Sequence, residues 1–239
     1  MENGINKISV YGDSILKGVI TGTGSGHLFD LIEDDSLTLA SRKLGFALNN
    51  QSVFGNIITK AAKKLSRDIA RGSVGDLAII ESGGNDCDYD WPAVLNRQTR
   101  QPRVPLEQFV DTIDQMVRLC RANSITPLLM TMPPLVSDWW YHHICEGYGE
   151  DNVSSFVKGD ANLLYQNHEM YNMRIVRFCV ENGVQFVDMR QRMLESGRFR
   201  QMMCQDGIHP TQEGYHFMAK VWEEILPRVV KEERVAAAS

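Results

Sequence analysis

The chain has 239 residues, 43% of them hydrophobic, enough to bury a sizeable core within one α/β domain. A net charge of -5, with no Lys/Arg cluster recurring on one face, argues against an electrostatic footprint for nucleic acid. Its 5 cysteines, Cys87, Cys120, Cys145, Cys179 and Cys204, are odd in number and never spaced Cys-x-x-Cys, so neither a disulfide framework nor a zinc knuckle is indicated.

The residues Met1-Glu2-Asn3-Gly4 lack the basic, apolar and small-residue regions of a signal peptide. No run approaches the roughly 18 apolar residues of a membrane span, so the sequence predicts a cytoplasmic protein with reduced thiols and no membrane partner. The first predicted element is a short apolar strand, Ile8 to Tyr11, that runs directly into Gly12-Asp13-Ser14. Residues 19–35 read as irregular. Within them Gly22-Thr23-Gly24-Ser25-Gly26 superficially suggests a phosphate cradle. It neither follows a strand immediately nor ends in Lys-Ser/Thr, and it reads as a flexible loop near a site entrance.

A weaker strand, Gln51 to Phe54, ends at Gly55. Ile57, Ile58, Ala61, Ala62, Leu65 and Ile69 then mark a helix stopped by Gly72. The strand Leu77 to Glu81 leads to Gly83-Gly84-Asn85-Asp86, and residues 87–104 read as irregular. The clearest helix runs from Pro105 to about Asn123, with Leu106, Phe109, Val110, Ile113, Met116, Val117 and Cys120 at helical spacing and Pro105 suited to the first turn.

After a strand from Thr126 to Thr131, residues 133–162 match no pattern. They are rich in aromatics, with Trp139, Trp140, Tyr141, Tyr148 and Phe156, and their place after a strand end suits a pocket roof. His142-His143-x-Cys145 fits no established zinc spacing and reads as a solvated or pocket-lining pair. A helix from Met170 to Asn182, a strand from Gln185 to Val187 and a helix from Glu213 to Ile225, N-capped by Thr211, complete the order. The charged Lys231 to Arg234 run and Ala236-Ala237-Ala238-Ser239 read as a frayed tail from about residue 230. No internal repeat or composition break divides residues 1–239, which predicts a single domain.

Alternating strands and helices predict a parallel sheet covered on both faces, with ligands bound beyond the carboxyl ends of its strands. Ser14, Gly55, Gly84-Asn85 and the block Asp206-Gly207-Ile208-His209-Pro210 then converge on one rim. A serine hydroxyl is a nucleophile only when a base takes its proton, and His209 can do so near neutral pH. Asp206 is the candidate to fix the imidazole tautomer and stabilise the imidazolium. The backbone N–H groups of Ser14 and Gly55, with the Asn85 amide, are assigned to the negative charge that attack builds on a carbonyl oxygen. Asp13-Ser14 by itself reads equally well as a turn or helix cap, and Cys87 and Cys204 read as packing thiols.

Gly12-Asp13-Ser14, Gly55 after a strand, Gly84-Asn85-Asp86 and Asp206-x-x-His209-Pro210 resemble, in order, the four blocks of the SGNH (GDSL-type) hydrolases over residues 8–220. The resemblance implies a three-layer α/β/α fold, flavodoxin-like, with a mostly parallel five-stranded sheet. It implies esterase or acylhydrolase activity through a seryl acyl-enzyme without metal or cofactor, with Ser14 as nucleophile, His209 as base, Asp206 as its orienter, and Gly55 and Asn85 as oxyanion donors. The expected substrate is a small-molecule ester, either a short acyl ester or an O-acetylated carbohydrate, and Asp13, Trp139 and Trp140 are candidate substrate contacts. A catalytically silent module that holds a carbohydrate or acyl ligand, and an acyltransferase, are the alternatives. Nothing in the sequence bears on oligomeric state.

Overall fold

The computed structural model describes residues 6–22 and 28–238, with side chains through residue 229. Most of the expected glycine-rich entrance loop therefore lies outside the described residues. In chain order the elements are β1 (Lys7–Tyr11), α1 (Ser14–Lys17), β2 (Val19–Thr21), β3 (Phe29–Leu31), α2 (Ser36–Leu44), β4 (Ala47–Asn50), α3 (Ile58–Ala70), β5 (Leu77–Ile80), α4 (Gly84–Cys87) and α5 (Trp91–Leu95). They continue with α6 (Leu106–Ala122), β6 (Thr126–Met130), α7 (Ser137–Tyr148), α8 (Glu150–Val157), α9 (Asn162–Asn182), β7 (Gln185–Val187), α10 (Met189–Glu195) and α11 (Gln212–Ala238), with a 3-10 turn at Phe199–Met202 before the last helix.

Five strands form one parallel sheet in the order β4-β1-β5-β6-β7, with Val10 of β1 paired to Asn50 on one side and Ile79 on the other. This is the expected three-layer α/β/α fold. One face of the sheet packs Leu37 and Ala40 of α2, Met189 and Met193 of α10, and Tyr215, Met218 and Trp222 of α11. The other packs Ile58, Ala61 and Leu65 of α3, Phe109, Ile113 and Met116 of α6, and Tyr171 and Ile175 of α9. The chain leaves β1 for one face and returns from β4 through the other. A crevice therefore opens beyond the carboxyl end of β1, where the connections part.

Several expected elements differ from the observed ones. The second strand lies at Ala47–Asn50, not 51–54, because β4 is an edge strand paired only to β1, and its polar Asn49 and Asn50 weaken the β signal. Residues 19–35, expected to be irregular, contain the β2–β3 hairpin, followed by α2. Residues 87–104 include α5, and residues 133–162 are largely α7 and α8. The helix expected from Met170 begins at Asn162, and α11 continues past Ile225 through Pro227 to Ala238, where a frayed tail was expected. Thr211 does cap α11, with its hydroxyl accepting from the Gly214 N–H at 3.2 Å. Among the described residues no helix is long and apolar enough to cross a membrane.

A third, smaller apolar cluster sits over the sheet's rim. It joins Tyr89, Trp91 and Val94 to Ile144 of α7, Val153 and Val157 of α8, and Leu164 of α9. These helices form one wall of a cleft of about 680 Å³, whose opposite wall carries Phe29, Phe54, Ser14 and His209.

Candidate active site

The chain leaves β1 through Gly12 and enters the single turn of α1, whose N-cap is Asp13; one carboxylate oxygen accepts the Ile15 N–H at 2.9 Å. That turn sets Ser14 at the edge of the cleft, 7% exposed. The Ser14 hydroxyl lies 2.9 Å from His209 Nε2, across 195 residues of sequence. His209 Nδ1 lies 2.5 Å from Asp206 Oδ2, so the three side chains form a continuous hydrogen-bonded line.

The loop that carries the imidazole is held by its own backbone. Asp206 Oδ1 accepts the N–H groups of Ile208 and His209, both at 3.1 Å, and the His209 carbonyl accepts the Cys204 N–H at 2.7 Å. Burial by itself would raise the Asp206 pKa, but the hydrogen bond and charge of His209 and the two N–H donors outweigh it, leaving this carboxyl below its ordinary value. Two aromatic rings flank the imidazole. Phe29 meets His209 edge-on at 5.4 Å, and Phe54 stacks on it at 6.2 Å. Neither was recognisable in the sequence, because Phe29 lies on a two-strand hairpin and Phe54 in a turn.

Gly55 also lines the cleft, and its φ of +68° explains the residue type; a Cβ there would meet open space, so the turn and not crowding demands glycine. Among the described residues, neither the Ser14 nor the Gly55 N–H meets an acceptor. Gly83 differs from Gly55. Its φ is +131°, and a Cβ would sit 2.4 Å from the Met132 sulfur, so it permits both the turn and the close packing from which α4 starts.

Asn85 lines the cleft, and its Nδ2 donates one hydrogen to Asp13 Oδ2 at 3.1 Å. Asp13, expected among the substrate contacts, is therefore a correction. It is 1% exposed and turned inward, fully used by Ile15, Asn85 and the neighbouring Glu81. Glu81 Oε2 accepts the Asp13 N–H at 3.0 Å. Burial and the Asp13 charge push the Glu81 carboxyl well above its ordinary pKa, and burial also raises Asp13.

Further ties stitch the blocks together. Asn56, which the sequence did not single out, donates to the Gly12 carbonyl at 3.1 Å. Asp86 accepts the N–H groups of Ile58 at 2.8 Å and Gly83 at 3.0 Å, joining the Gly55 loop to the start of α4. Burial raises the Asp86 pKa to about 7.

Of the two expected tryptophan contacts, Trp140 lines the cleft and stacks on His143 at 5.6 Å. Trp139 does not. It lines a neighbouring recess with Thr21, His142 and Asp206, under the Arg200 guanidinium at 4.7 Å, because adjacent helical positions face different directions. Of the pair His142 and His143, His142 lines the recess alone, while His143 borders both recess and cleft. Cys87 and Cys204 are buried thiols that donate to the carbonyls of Gly84 and Pro210, and burial raises both.

The sequence model of the GDSL-like Lipase/Acylhydrolase family matches residues 10–217. Among solved structures, an acetylxylan esterase from Geobacillus stearothermophilus aligns with TM-score 0.64 at 18% identity, covering 93% of this chain and 94% of that one. A lipase/acylhydrolase from Enterococcus faecalis aligns with TM-score 0.63 at 16% identity, over 93% and 95%. A GDSL-like lipase from Bacteroides thetaiotaomicron gives 0.62 at 19%, over 94% and 89%. At these identities the likeness is one of fold. No curated protein matches the chain.

Proposed function

The chain belongs to the GDSL-like Lipase/Acylhydrolase family and is a carboxylic ester hydrolase, and from that premise we propose that it cleaves a small ester through a seryl acyl-enzyme. The observation that carries this reading is the unbroken line Ser14 Oγ, His209 imidazole, Asp206 carboxylate, at 2.9 and 2.5 Å. In the proposed mechanism His209 Nε2 takes the Ser14 proton as the hydroxyl attacks the ester carbonyl, and Asp206 stabilises the imidazolium that results. The carbonyl oxygen gains negative charge facing the N–H groups of Ser14 and Gly55 and the second amide hydrogen of Asn85. Collapse transfers the proton from His209 to the departing alcohol and leaves the acyl group on Ser14. Water, activated by the same imidazole, then releases the acid.

A short acyl ester or an O-acetylated carbohydrate fits the cleft, which has aromatic walls and a few convergent polar groups. Five unpaired cysteines support a reducing, cytoplasmic setting. A panel of p-nitrophenyl esters of increasing acyl length tests the activity, with wild type and Ser14→Ala side by side. Wild type is expected to turn over the short esters and to be labelled at Ser14 by a serine-directed phosphonate, while Ser14→Ala does neither. Turnover that survives in Ser14→Ala, or a label on another residue, would overturn the acyl-enzyme. No turnover and no label in wild type would favour a silent binding module.

A further inference from the structure

Helix α9 carries His168 into the cleft wall, 8% exposed. Its neighbours fasten it there. The Asn167 amide donates to the Cys87 carbonyl at the end of α4, and Asn172 Oδ1 accepts the Met132 N–H at 3.0 Å. His168 Nδ1 lies 3.4 Å from Nη1 of Arg190, a buried guanidinium that also donates to the Pro133 carbonyl at 3.3 Å and to Glu169. A guanidinium only donates, so Nδ1 must accept and the ring hydrogen must sit on Nε2. Among the described residues no protein group takes that hydrogen. Burial and the Arg190 charge lower the His168 pKa to about 3, which keeps the ring neutral near neutral pH.

We propose that His168 is a specificity-determining residue, a fixed Nε2–H donor that recognises a hydroxyl or ether oxygen of the substrate beyond the scissile ester. This rests on the ester-hydrolase reading and narrows it, favouring esters of oxygen-rich rings such as sugars over plain hydrocarbon esters. Three features support it. The donor is locked in one tautomer by Arg190, it is nine-tenths buried yet borders the cleft, and α9 is tied directly to the helix that carries Asn85. A donor that a bound ligand desolvates without pairing is costly, so a ligand without an acceptor at this position is penalised, while one that supplies an oxygen gains a hydrogen bond that needs no reorganisation. The half-buried ring of Trp140 in the same cleft supplies apolar surface for the rest of such a ring.

The test compares two acetates with rings of equal size, a mono-O-acetylated methyl pentopyranoside and cyclohexyl acetate, with p-nitrophenyl acetate as the reference. Wild type is expected to prefer the sugar acetate over the cyclohexyl acetate in kcat/KM by about ten- to a hundredfold. In His168→Phe that preference should shrink about tenfold or more, mainly through KM. In His168→Gln, whose amide oxygen can accept from Arg190 while its NH2 donates to the cleft, most of it should return. A wild type without preference, or a His168→Phe that slows both ring acetates by the same factor, would overturn the assignment while hydrolysis of p-nitrophenyl acetate keeps the ester-hydrolase reading intact. If His168→Phe fails to fold, the wild-type comparison and the His168→Gln preference still decide. A wild type inert toward all three acetates would remove the esterase reading and this inference with it.

Discussion

Asn85 works through its neighbours. Its side chain faces the cleft, but what aims it is the inward-turned carboxyl group of Asp13, itself hydrogen-bonded to Glu81. The Ser14 turn and the Asn85 amide are thus set by one acid: Asp13 caps the turn that carries Ser14 and accepts one hydrogen of Asn85. Asn85→Ala is expected to lower kcat by about 10² to 10³ with KM largely kept, the signature of a bond made in the transition state. Asp13→Asn should also lower kcat, but by less when Asn85 is already Ala, because the two act as one unit. Steady-state kinetics of the two single variants and the double variant provide the check. Equal losses for Asp13→Asn in both backgrounds would show that Asp13 does not act through Asn85.

The helices over the rim hold together through aromatic contacts more than through the sheet. Trp91 is the centre of that cluster. It is 2% exposed, its indole N–H donates to Asp88 at 3.2 Å, and its ring meets Phe156 at 5.4 Å and Tyr148 at 6.1 Å. Trp91→Ala is expected to destabilise the fold by about 3–5 kcal/mol, measurable as a lower urea midpoint. A loss below about 1 kcal/mol would mean that the cluster collapses freely around the gap. This layer is also where the sequence was least legible. Helix α6 was readable because Phe109, Ile113, Met116, Val117 and Cys120 repeat at helical spacing and all face one core. Helix α7 buries only Ile144 among its 12 residues, and its consecutive Trp139, Trp140 and Tyr141 divide between recess, cleft and cluster, so no single-faced period appears. The residues that line the rim at strand ends were legible for the opposite reason. Gly-Asp-Ser, Gly-Asn-Asp and Asp-x-x-His are local turn chemistries that stay recognisable whatever the helices around them do. Asn56, Phe29, Phe54 and His168 carry no such local signature and emerge only once the chain is folded.

Across the whole molecule, the cleft concentrates buried ionisable groups whose titrations pull stability in opposite directions. Burial raises the Asp86 pKa to about 7 and that of Asp88 to about 6, despite the nearby Arg103 in the latter case. Each contributes stability that is fully present below its unfolded value of 3.8 and is lost as pH rises through the folded one. His168 has the opposite sign. Burial and Arg190 depress it from 6.5 to about 3. Its contribution is therefore complete above pH 6.5 and is lost as acid protonates the unfolded ring more readily than the folded one. Replacing the histidine by glutamine removes only that term. The stability of wild type relative to His168→Gln should hence fall between pH 7.5 and 4.5, by up to about 1.4 kcal/mol per pH unit within the titration window. Urea unfolding of both proteins at the two pH values reads it directly. A difference in unfolding free energy that is the same at both would mean that the folded ring titrates like the unfolded one. It would also mean that Arg190 and the cleft wall do not hold it neutral.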